Sequence, residues 1–394
     1  MYDLLSRIDE WGPEKVVVVS DRRSGMKGVL VIDNTARGIG KGGTRMSQSV
    51  SIDEIARLAR VMTWKWAGVD MFHGGAKAGI VADPNCPNKE AILRAFARKL
   101  SNEVPREYVF GLDMGLTEYD AAIFQDELGD RGVAVGSPEE LGGVPYDQLG
   151  ITGYGVAESA QVAAEHEGIA LSKARVSIQG FGAVGCAAAQ RFASLGATVV
   201  AVSTAVGAIH HPDGLDVALL TSLKAAHGDD AVRHYPGLNM LPAGHALLVG
   251  CDVLIPAARQ DVIDEQLVGR IRAKLVVEGA NLPASAAALE AFAARNVLVV
   301  PDFVANAGGI VAAGVAMDTR YSPFRPEVDA ILQLVSTRIR ANTLAVLAAV
   351  DANDFLPHYA ARLLAQARVR SAMIARGQLA PALRPALSES SLVS

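Results

Sequence analysis

Hydrophobic and polar positions along the chain predict both strands and amphipathic helices. From Lys15 the sequence contains two β-rich runs, VVVVSD and GVLVIDNT, separated by a polar turn with a glycine. Ser51 and Glu54 form an S-x-x-E pattern, and apolar residues then recur at helical spacing, which predicts a helix to about Trp66. The glycine-rich segment 73–79 predicts a loop leading into a short apolar run.

The same pattern predicts a helix from Asn88 to about Val104 and a strand over 108–112, which ends at Asp113. Residues 136–153 are rich in Gly and Pro, as expected of a domain junction. Beyond them helical and strand patterns alternate, which is typical of a doubly wound parallel sheet. The predicted elements are helix 153–168, strand 175–179, helix 183–195, strand 197–203, strands near 252–255, 274–277 and 297–300, helical residues 327–378, and a loose C-terminal tail.

Composition narrows the class of protein. A chain of 394 residues has room for two domains, and a net charge of −5 without a long Lys/Arg run argues against nucleic acid or an anionic membrane as partner. The three cysteines, Cys86, Cys186 and Cys251, are far apart, so we expect neither a disulfide framework nor a metal site. With no signal-peptide pattern and no apolar stretch of about 20 residues, we expect a cytoplasmic protein.

A glycine fingerprint follows the strand 175–179 and precedes a helical pattern. In this arrangement the glycines allow a tight turn and close approach of a pyrophosphate, and the helix N-terminus offers free N–H groups. A bare G-x-G-x-x-G is equally a glycine-rich turn, but the strand before it and the helix after it favour dinucleotide binding. The predicted cofactor-binding residues here are Gly180, Phe181, Gly182, Ala183, Val184 and Gly185.

The second strand of this unit ends at Ser203 and Thr204 without the carboxylate that would hold the ribose hydroxyls of NAD. A 2′-phosphate would not be repelled there, and the two hydroxyls, with His210 or His211, are candidates to contact it. The alternative is that Asp213 or another group performs the task. We therefore expect NAD or NADP as the cofactor, and the sequence favours NADP or the use of both.

Three lysines in the N-terminal half have unusual neighbours. Lys41 stands among glycines, Lys65 lies between two tryptophans, and Lys77 lies in the glycine-rich segment. Each alone is compatible with a solvated surface charge. Together in one cleft they would bind carboxylates, and repulsion and burial would lower the pKa of one amine enough for it to act as a base near pH 7. Asp113 is then a candidate proton-transfer acid, or else an ordinary helix N-cap.

These residues carry a family resemblance. Along nearly its whole length the chain resembles the glutamate/leucine/phenylalanine/valine dehydrogenases. The matching stretches, in chain order, are KGGTR at 41–45, MTWK at 62–65, GGAKAG at 74–79, Asp113 in LDMG, Thr152 in TGYGV, the glycine fingerprint, EGAN at 278–281 and PDFVANAGG at 301–309.

The resemblance implies an α/β fold of two domains with a cleft between them. Residues 1–148 would form an N-terminal domain with a mixed sheet for substrate binding and oligomerisation, and the helices of about 340–394 would pack back on it. Residues 149–339 would form the Rossmann-like NAD(P)-binding domain. A homo-oligomer, hexamer or octamer, is also implied.

The resemblance also implies residue roles in the oxidative deamination of an L-amino acid to its 2-oxo acid and ammonia. Lys77 is similar to the catalytic lysine that activates water, and Asp113 to the proton-transfer carboxylate. Lys65 is similar to the lysine that grips the substrate α-carboxylate. The residues matching the nicotinamide end are Thr152, Asn281 and Asn306.

The substrate depends on two further positions. Lys41 matches the lysine that holds the side-chain carboxylate in glutamate-specific members, which favours glutamate and 2-oxoglutarate. Its partner hydroxyl aligns with Ala313, so half of that carboxylate site is missing, and the short N-terminal opening is similar to leucine- and phenylalanine-type members. A leucine-, valine- or phenylalanine-type substrate is the second choice, and an unusual polar amino acid the third.

Two alternatives come from other functional classes. A non-catalytic regulatory subunit of a heteromeric dehydrogenase would share the fold, but we expect it to lack Lys77 or Asp113. A hydroxy-acid dehydrogenase would share the glycine fingerprint but would use a His–carboxylate pair. His73 is the local candidate for that pair, and a packing or lining role suits it better.

Overall fold

The structure is a computed structural model, and it describes residue 5 and residues 8–144 and 149–380. The N-terminal half comprises β1 (Lys15–Asp21), β2 (Met26–Asn34), β3 (Gly40–Lys41), β4 (Thr44–Met46), α1 (Ile52–Gly68), β5 (Gly74–Ile80), α2 (Lys89–Lys99), β6 (Tyr108–Val109) and α3 (Glu118–Leu128).

The remaining described elements are α4 (Ile151–His166), β7 (Arg175–Gln179), α5 (Ala183–Ser194), β8 (Thr198–Ser203), β9 (Ala208–His210), α6 (Val217–His227), α7 (Ala231–His234), β10 (Val253–Pro256), α8 (Glu265–Val268), β11 (Leu275–Val277), α9 (Ala286–Ala294), β12 (Leu298–Val300), α10 (Asp302–Ala305), α11 (Gly308–Thr319), α12 (Val328–Asn353) and α13 (Pro357–Ala375).

The first sheet is mixed, as predicted. Its order is β1-β2-β5-β3-β6, with β4 also paired to β5. The β1–β2 and β2–β5 pairs are antiparallel, whereas β3 and β4 run parallel to β5. Helix α1 begins at its N-cap Ser51, whose side chain accepts from Glu54 N. The Glu54 carboxylate accepts a bond from Arg45 Nη1 at 2.6 Å.

Strand β5 corrects the sequence-based prediction of a loop over 73–79. Its seven residues, GGAKAGI, are all buried between β2, β3 and β4. A Cβ on Gly75 would lie 2.0 Å from Thr63 Oγ1, so the missing side chain is what lets α1 pack against the strand. Tertiary packing therefore overrides the low strand propensity of glycine and places Lys77 on a rigid central strand.

The second sheet is the predicted doubly wound sheet. Its order is β12-β11-β10-β7-β8-β9, which corresponds to the 3-2-1-4-5-6 order of dinucleotide-binding folds. All neighbouring pairs are parallel except β8–β9, which is antiparallel. The crevice of such a sheet opens where β7 and β10 lie side by side, because the crossover direction reverses there.

Helices α12 and α13 return the chain to the first sheet. Ala365, Val369 and Met373 of α13 pack with Ala36 and Ala67 in one apolar cluster. Arg368 Nη1 donates to the carbonyls of Ala67 and Gly68 at the end of α1, at 2.9 and 2.7 Å. The C-terminal helices thus contact the N-terminal half directly.

Most other element predictions agree with the structure, with shifted ends. The helix predicted over 88–104 ends at Lys99, and the helix predicted from 153 begins at Ile151. The predicted loose tail lies outside the described residues. Helix α12 runs without a break across residue 339, and the division of the chain into domains at 148 and 339 stays a prediction. In the described part of the chain, no helix combines the length and apolar character of a membrane span.

Candidate active site

A cleft of about 620 Å³ lies between the two halves of the chain. The wall on the N-terminal side is formed by β3, α1, β5 and residues after β6. The opposite wall is formed by α4, the first turn of α5, the loops after β10 and β11, Asn306 and α11. The lining residues that the sequence singled out are Lys41, Lys65, Lys77, Thr152, Val184, Asn281, Asn306 and Ala313.

Lys77 lines the cleft and is in direct contact with Asp113, which is not among the lining residues. Lys77 is only 7 % exposed, and its Nζ lies 2.7 Å from Asp113 Oδ2. Burial lowers the pKa of Lys77 below its ordinary value although Asp113 opposes this. Burial acts to raise the pKa of Asp113, but the nearby Lys77 and Arg45 cations outweigh it and lower that pKa. The pair therefore joins a lysine that loses its proton more readily than usual to an ionised carboxylate.

Asp113 is not the N-cap of the following helix. That position belongs to Thr117, which forms a capping box with Asp120 at the start of α3. Arg45 contacts the same oxygen of Asp113 as Lys77 does, with its Nε 3.1 Å from Asp113 Oδ2. The N-cap interpretation of Asp113 is therefore wrong.

Lys41 is buried, at 3 % exposure, and is held by backbone carbonyls. Its Nζ donates to Val109 O at 3.2 Å and to Phe110 O at 2.8 Å. A Cβ on Gly111 would lie 2.5 Å from this nitrogen, so the glycine makes room for it. Burial lowers the pKa of Lys41 well below its usual range, and the Lys77 and Arg320 cations add to the effect.

Lys65 links the two walls of the cleft. Its Nζ donates to Asn281 Oδ1 at 3.2 Å, and the same oxygen accepts from Asn306 Nδ2 at 3.0 Å. Burial lowers the pKa of Lys65, opposed chiefly by Asp302. The three lysines that the sequence grouped thus face one cavity, although they lie on a short strand, a helix and a central strand.

The glycine fingerprint has the shape needed to cradle a pyrophosphate. A Cβ on Gly185 would lie 1.8 Å from Gly180 O, which explains the close packing of helix α5 on the loop. A Cβ on Gly182 would meet nothing within 4 Å, and Gly182 is the N-cap of α5 without a side-chain cap. Open space beside free helix N–H groups fits a dinucleotide. Phe181 is buried in the core, so only its backbone is available to a ligand.

The hydroxyls of Ser203 and Thr204 correct another expectation. Ser203 Oγ accepts a bond from Gly180 N at 3.1 Å, and Thr204 Oγ1 donates to Asp229 O at 2.7 Å. Both side chains are buried. Both hydroxyls are thus engaged within the protein, which argues against their contact with a 2′-phosphate.

Several lining residues were missed by the sequence analysis. Trp66 lines the cleft and donates from Nε1 to Lys41 O at 3.0 Å. His73, for which the sequence favoured a packing or lining role, packs edge-on against Trp66 with ring centroids 4.7 Å apart. Burial lowers the pKa of His73 to about 4, which suits packing and not proton transfer. The segment 257–260 after β10 also lines the cleft. The rule that ligands bind where parallel strands reverse their order is the signal that would have found it.

This combination of a doubly wound nucleotide-binding sheet, a mixed-sheet half and a lysine-lined cleft between them defines a nicotinamide-dependent dehydrogenase. Residues 142–377 match the family model described as Glutamate/Leucine/Phenylalanine/Valine dehydrogenase, and residues 13–129 match the model of its dimerisation domain. The chain belongs to this family and is an amino-acid dehydrogenase that acts on the CH–NH2 group with NAD or NADP.

Individual proteins similar to this chain are also amino-acid dehydrogenases. The NADP-specific glutamate dehydrogenase of Saccharolobus shibatae is 35% identical over 76% of this chain and 74% of its own length. The NAD-specific glutamate dehydrogenase A of Halobacterium salinarum is 36% identical over 70% of this chain and 65% of its own. The crystal structure of the hetero-hexameric glutamate dehydrogenase from Thermus thermophilus in its Leu-bound form gives a TM-score of 0.79 at 30% identity, covering 94% of this chain and 91% of that one.

Proposed function

We propose that this amino-acid dehydrogenase interconverts L-glutamate and 2-oxoglutarate, with Lys77 and Asp113 as its catalytic residues. The observation that carries the proposal is the 2.7 Å contact of Asp113 with Lys77, a residue that lines the same cleft as Lys41 and Lys65. A regulatory, non-catalytic subunit would not need that pair intact.

Lys65 is proposed to hold the substrate α-carboxylate, because it is the half-buried ammonium that reaches across the cleft toward Asn281. The bound nicotinamide ring supplies the hydride acceptor for the hydrogen on the substrate Cα. Thr152, Asn281 and Asn306 line the opposite wall and would orient the reacting Cα against it.

We assign the proton transfers of the reaction to Lys77 and Asp113. Asp113 accepts a proton from the substrate ammonium, so that loss of hydride leaves an imine. Water then adds to the imine carbon while its proton passes to the neutral Lys77 amine. Asp113 then returns its proton to the nitrogen. As the C–N bond breaks and ammonia leaves, the ionised Asp113 accepts the hydroxyl proton of the adduct, which leaves the 2-oxo acid.

The surroundings of Lys41 favour a substrate with an acidic side chain. Two of its three possible N–H donors are used by the Val109 and Phe110 carbonyls, and the third is available to a ligand in the cleft. A substrate carboxylate would provide the counter-ion that the described residues around Lys41 do not supply. Ala313 faces the same cavity with a methyl group, so the second polar contact expected in glutamate-specific members is missing.

NADP use is proposed only on the absence of a carboxylate at the end of β8, since the Ser203 and Thr204 hydroxyls are engaged internally. His210 or His211 is the further candidate to contact the 2′-phosphate, and Asp213 is the alternative group for the ribose hydroxyls of NAD. We further propose a cytoplasmic homo-oligomer, a hexamer or octamer, formed largely through residues 1–148. The match of residues 13–129 to a dimerisation domain supports this assembly. Light scattering coupled to size-exclusion chromatography tests it.

The catalytic assignment is tested by Lys77→Gln. We expect turnover to fall by about 10²–10⁴-fold, the usual contribution of general acid–base catalysis, with cofactor affinity unchanged. The matched control is Lys89→Gln, because Lys89 makes a comparable 2.7 Å pair with Asp120 away from the cleft. Steady-state rates and fluorescence titration of NAD(P)H separate the two effects. Substantial activity in Lys77→Gln would overturn the mechanism.

The substrate assignment is tested by a panel of L-amino acids assayed with NAD+ and with NADP+. We expect glutamate to give the highest kcat/KM, and Lys41→Met to lower it at least about tenfold, or about 1.4 kcal/mol. In the same variant, kcat/KM for the apolar analogue norvaline should change little or rise. If leucine or phenylalanine is preferred by the wild type, the glutamate assignment is wrong while the lysine–aspartate chemistry stands.

A further inference from the structure

A second cluster of ionisable side chains lies behind the cleft wall. Glu278 follows β11, Asp302 begins α10, and His358 is the second residue of α13. One ligand atom from each side chain lies within 4.8 Å of the other two. We call these three residues the Glu278 cluster. None of the three lines the cleft itself.

The cluster is buried and incompletely paired. Glu278 is 1 % exposed and Asp302 5 %. Glu278 Oε2 lies 2.8 Å from His358 Nε2 and accepts from Asp302 N at 3.0 Å. Glu278 Oε1, however, is buried without a hydrogen-bond partner among the described residues. A buried carboxylate oxygen with no partner is costly, and native proteins rarely leave one.

The hydrogen bonds of Asp302 leave its carboxylate free to accept more. Its Oδ2 accepts from Leu282 N at 2.9 Å and its Oδ1 from Phe303 N at 2.7 Å. Each oxygen has two lone pairs, so one on each oxygen remains. Burial also raises the pKa of Glu278, and the neighbouring carboxylate of Asp302 adds to this effect. A cation placed among the three side chains would satisfy all of these groups.

We propose that the Glu278 cluster binds a divalent first-row transition ion of the Zn²⁺ type. One imidazole and two carboxylates are a donor set suited to such an ion, whereas Mg²⁺ and Ca²⁺ prefer oxygen ligands alone. Bonds of about 2.0–2.2 Å bring tetrahedral ligand atoms to roughly 3.3 Å apart. Ligand atoms that lie up to 4.8 Å apart would therefore move closer on binding. His358, whose side chain is 22 % exposed, gives the ion a route from solvent.

The Glu278 cluster lies where a bound ion would connect helix α13 to two segments that line the cleft. Glu278 directly precedes the loop that carries Asn281, and Asp302 begins the short helix before Asn306. His358 lies at the start of α13, whose later turns contact α1. An ion bound there would tie α13 to both asparagine-bearing segments. It would act as a structural ion, distinct from the reaction, and would stabilise the arrangement of these segments.

The test uses the full-length protein after dialysis against EDTA. Isothermal titration with Zn²⁺ should give one ion per chain, and thermal unfolding should shift to higher temperature. Co²⁺ should give a visible absorption band with the intensity of a low-coordinate site. His358→Gln should weaken binding at least about tenfold and abolish the thermal shift. His358 is partly exposed, so this variant is expected to fold.

Two control variants locate the ion. His166→Gln removes a surface imidazole that also contacts two carboxylates, Glu167 and Asp351, and should leave binding unchanged. His234→Gln removes one of two stacked imidazoles, His227 and His234, whose ring centroids are 3.9 Å apart. Binding that survives in His358→Gln, or is lost instead in either control, would overturn the proposal. So would absence of binding at millimolar Zn²⁺.

Discussion

At the scale of single residues, the charges around Lys77 set the pH at which it can act as a base. Asp113 and Glu54 favour its protonated form, while burial and Arg45 favour the neutral amine. Arg45 touches both acids, with Nη1 2.6 Å from Glu54 and Nε 3.1 Å from Asp113. The sequence stretch KGGTR therefore contributes Lys41 to the cleft and Arg45 to the tuning of Lys77.

Substituting Arg45 and Glu54 should move the pH profile in opposite directions. Arg45→Gln removes a cation that lowers the pKa of Lys77, so the acid limb of kcat/KM should shift to higher pH. Glu54→Gln removes an anion that raises this pKa, so the limb should shift to lower pH. Initial rates of deamination measured across pH report both shifts.

A matched control for this pair is Arg94→Gln, which breaks surface ion pairs with Glu90 and Asp126 on the far side of α2. Its profile should coincide with that of the wild type. Shifts of the same sign in Arg45→Gln and Glu54→Gln would show that Lys77 is not the titrating base.

At the scale of elements, the turn from β7 into α5 uses two glycines for different physical reasons. Gly185 packs so closely that a Cβ would collide with Gly180 O, whereas Gly182 faces open space at the helix N-terminus. Gly185 is therefore needed for packing within the fold, whereas Gly182 leaves space for a ligand.

These reasons predict a contrast between two alanine substitutions. Gly185→Ala should lower the thermal unfolding temperature, because backbone and not a flexible side chain blocks the added methyl group. Gly182→Ala should leave that temperature unchanged but raise the KM for NAD(P)+ at least about tenfold, because the methyl group occupies the space assigned to the pyrophosphate. Differential scanning fluorimetry and cofactor titration measure the two effects. If Gly182→Ala binds cofactor normally, the pyrophosphate does not lie there.

At the scale of the whole molecule, the C-terminal helices return the chain to the helix that carries Lys65. Arg368 donates to two carbonyls at the C-terminal end of α1, where the helix dipole also favours a cation. Burial lowers the pKa of Arg368, as expected of a cation taken partly out of water. This contact lies between residues some 300 positions apart in the chain.

Arg368→Met should therefore lower the free energy of unfolding by about 2 kcal/mol, since it leaves two carbonyls without their charged donor. Arg370→Met is the control, because Arg370 pairs with Glu10 on the exposed face of the same helix and such pairs contribute about 0–1 kcal/mol. Urea unfolding followed by tryptophan fluorescence compares the two. Equal losses would show that the carbonyl contacts do not anchor α13.

Much of the fold was predictable because its signals are local. The strand before Gly180, the helix after it and the cap at Ser51 each depend on residues within one or two turns. The alternation of strands and helices likewise determined the parallel sheet. The grouping of Lys41, Lys65 and Lys77 came from their unusual neighbours and from the family resemblance, and the structure places all three around one cleft.

The sequence by itself determined the periodic elements, the nucleotide fingerprint and the set of cationic residues, because hydrogen-bonding pattern and side-chain type act over short distances. Three features depend on long-range packing: GGAKAG is a buried strand, Ser203 and Thr204 bond within the protein, and Asp113 contacts Lys77 and does not cap α3. Each of these depends on which distant segment packs alongside, and that choice is made by the burial of the whole core.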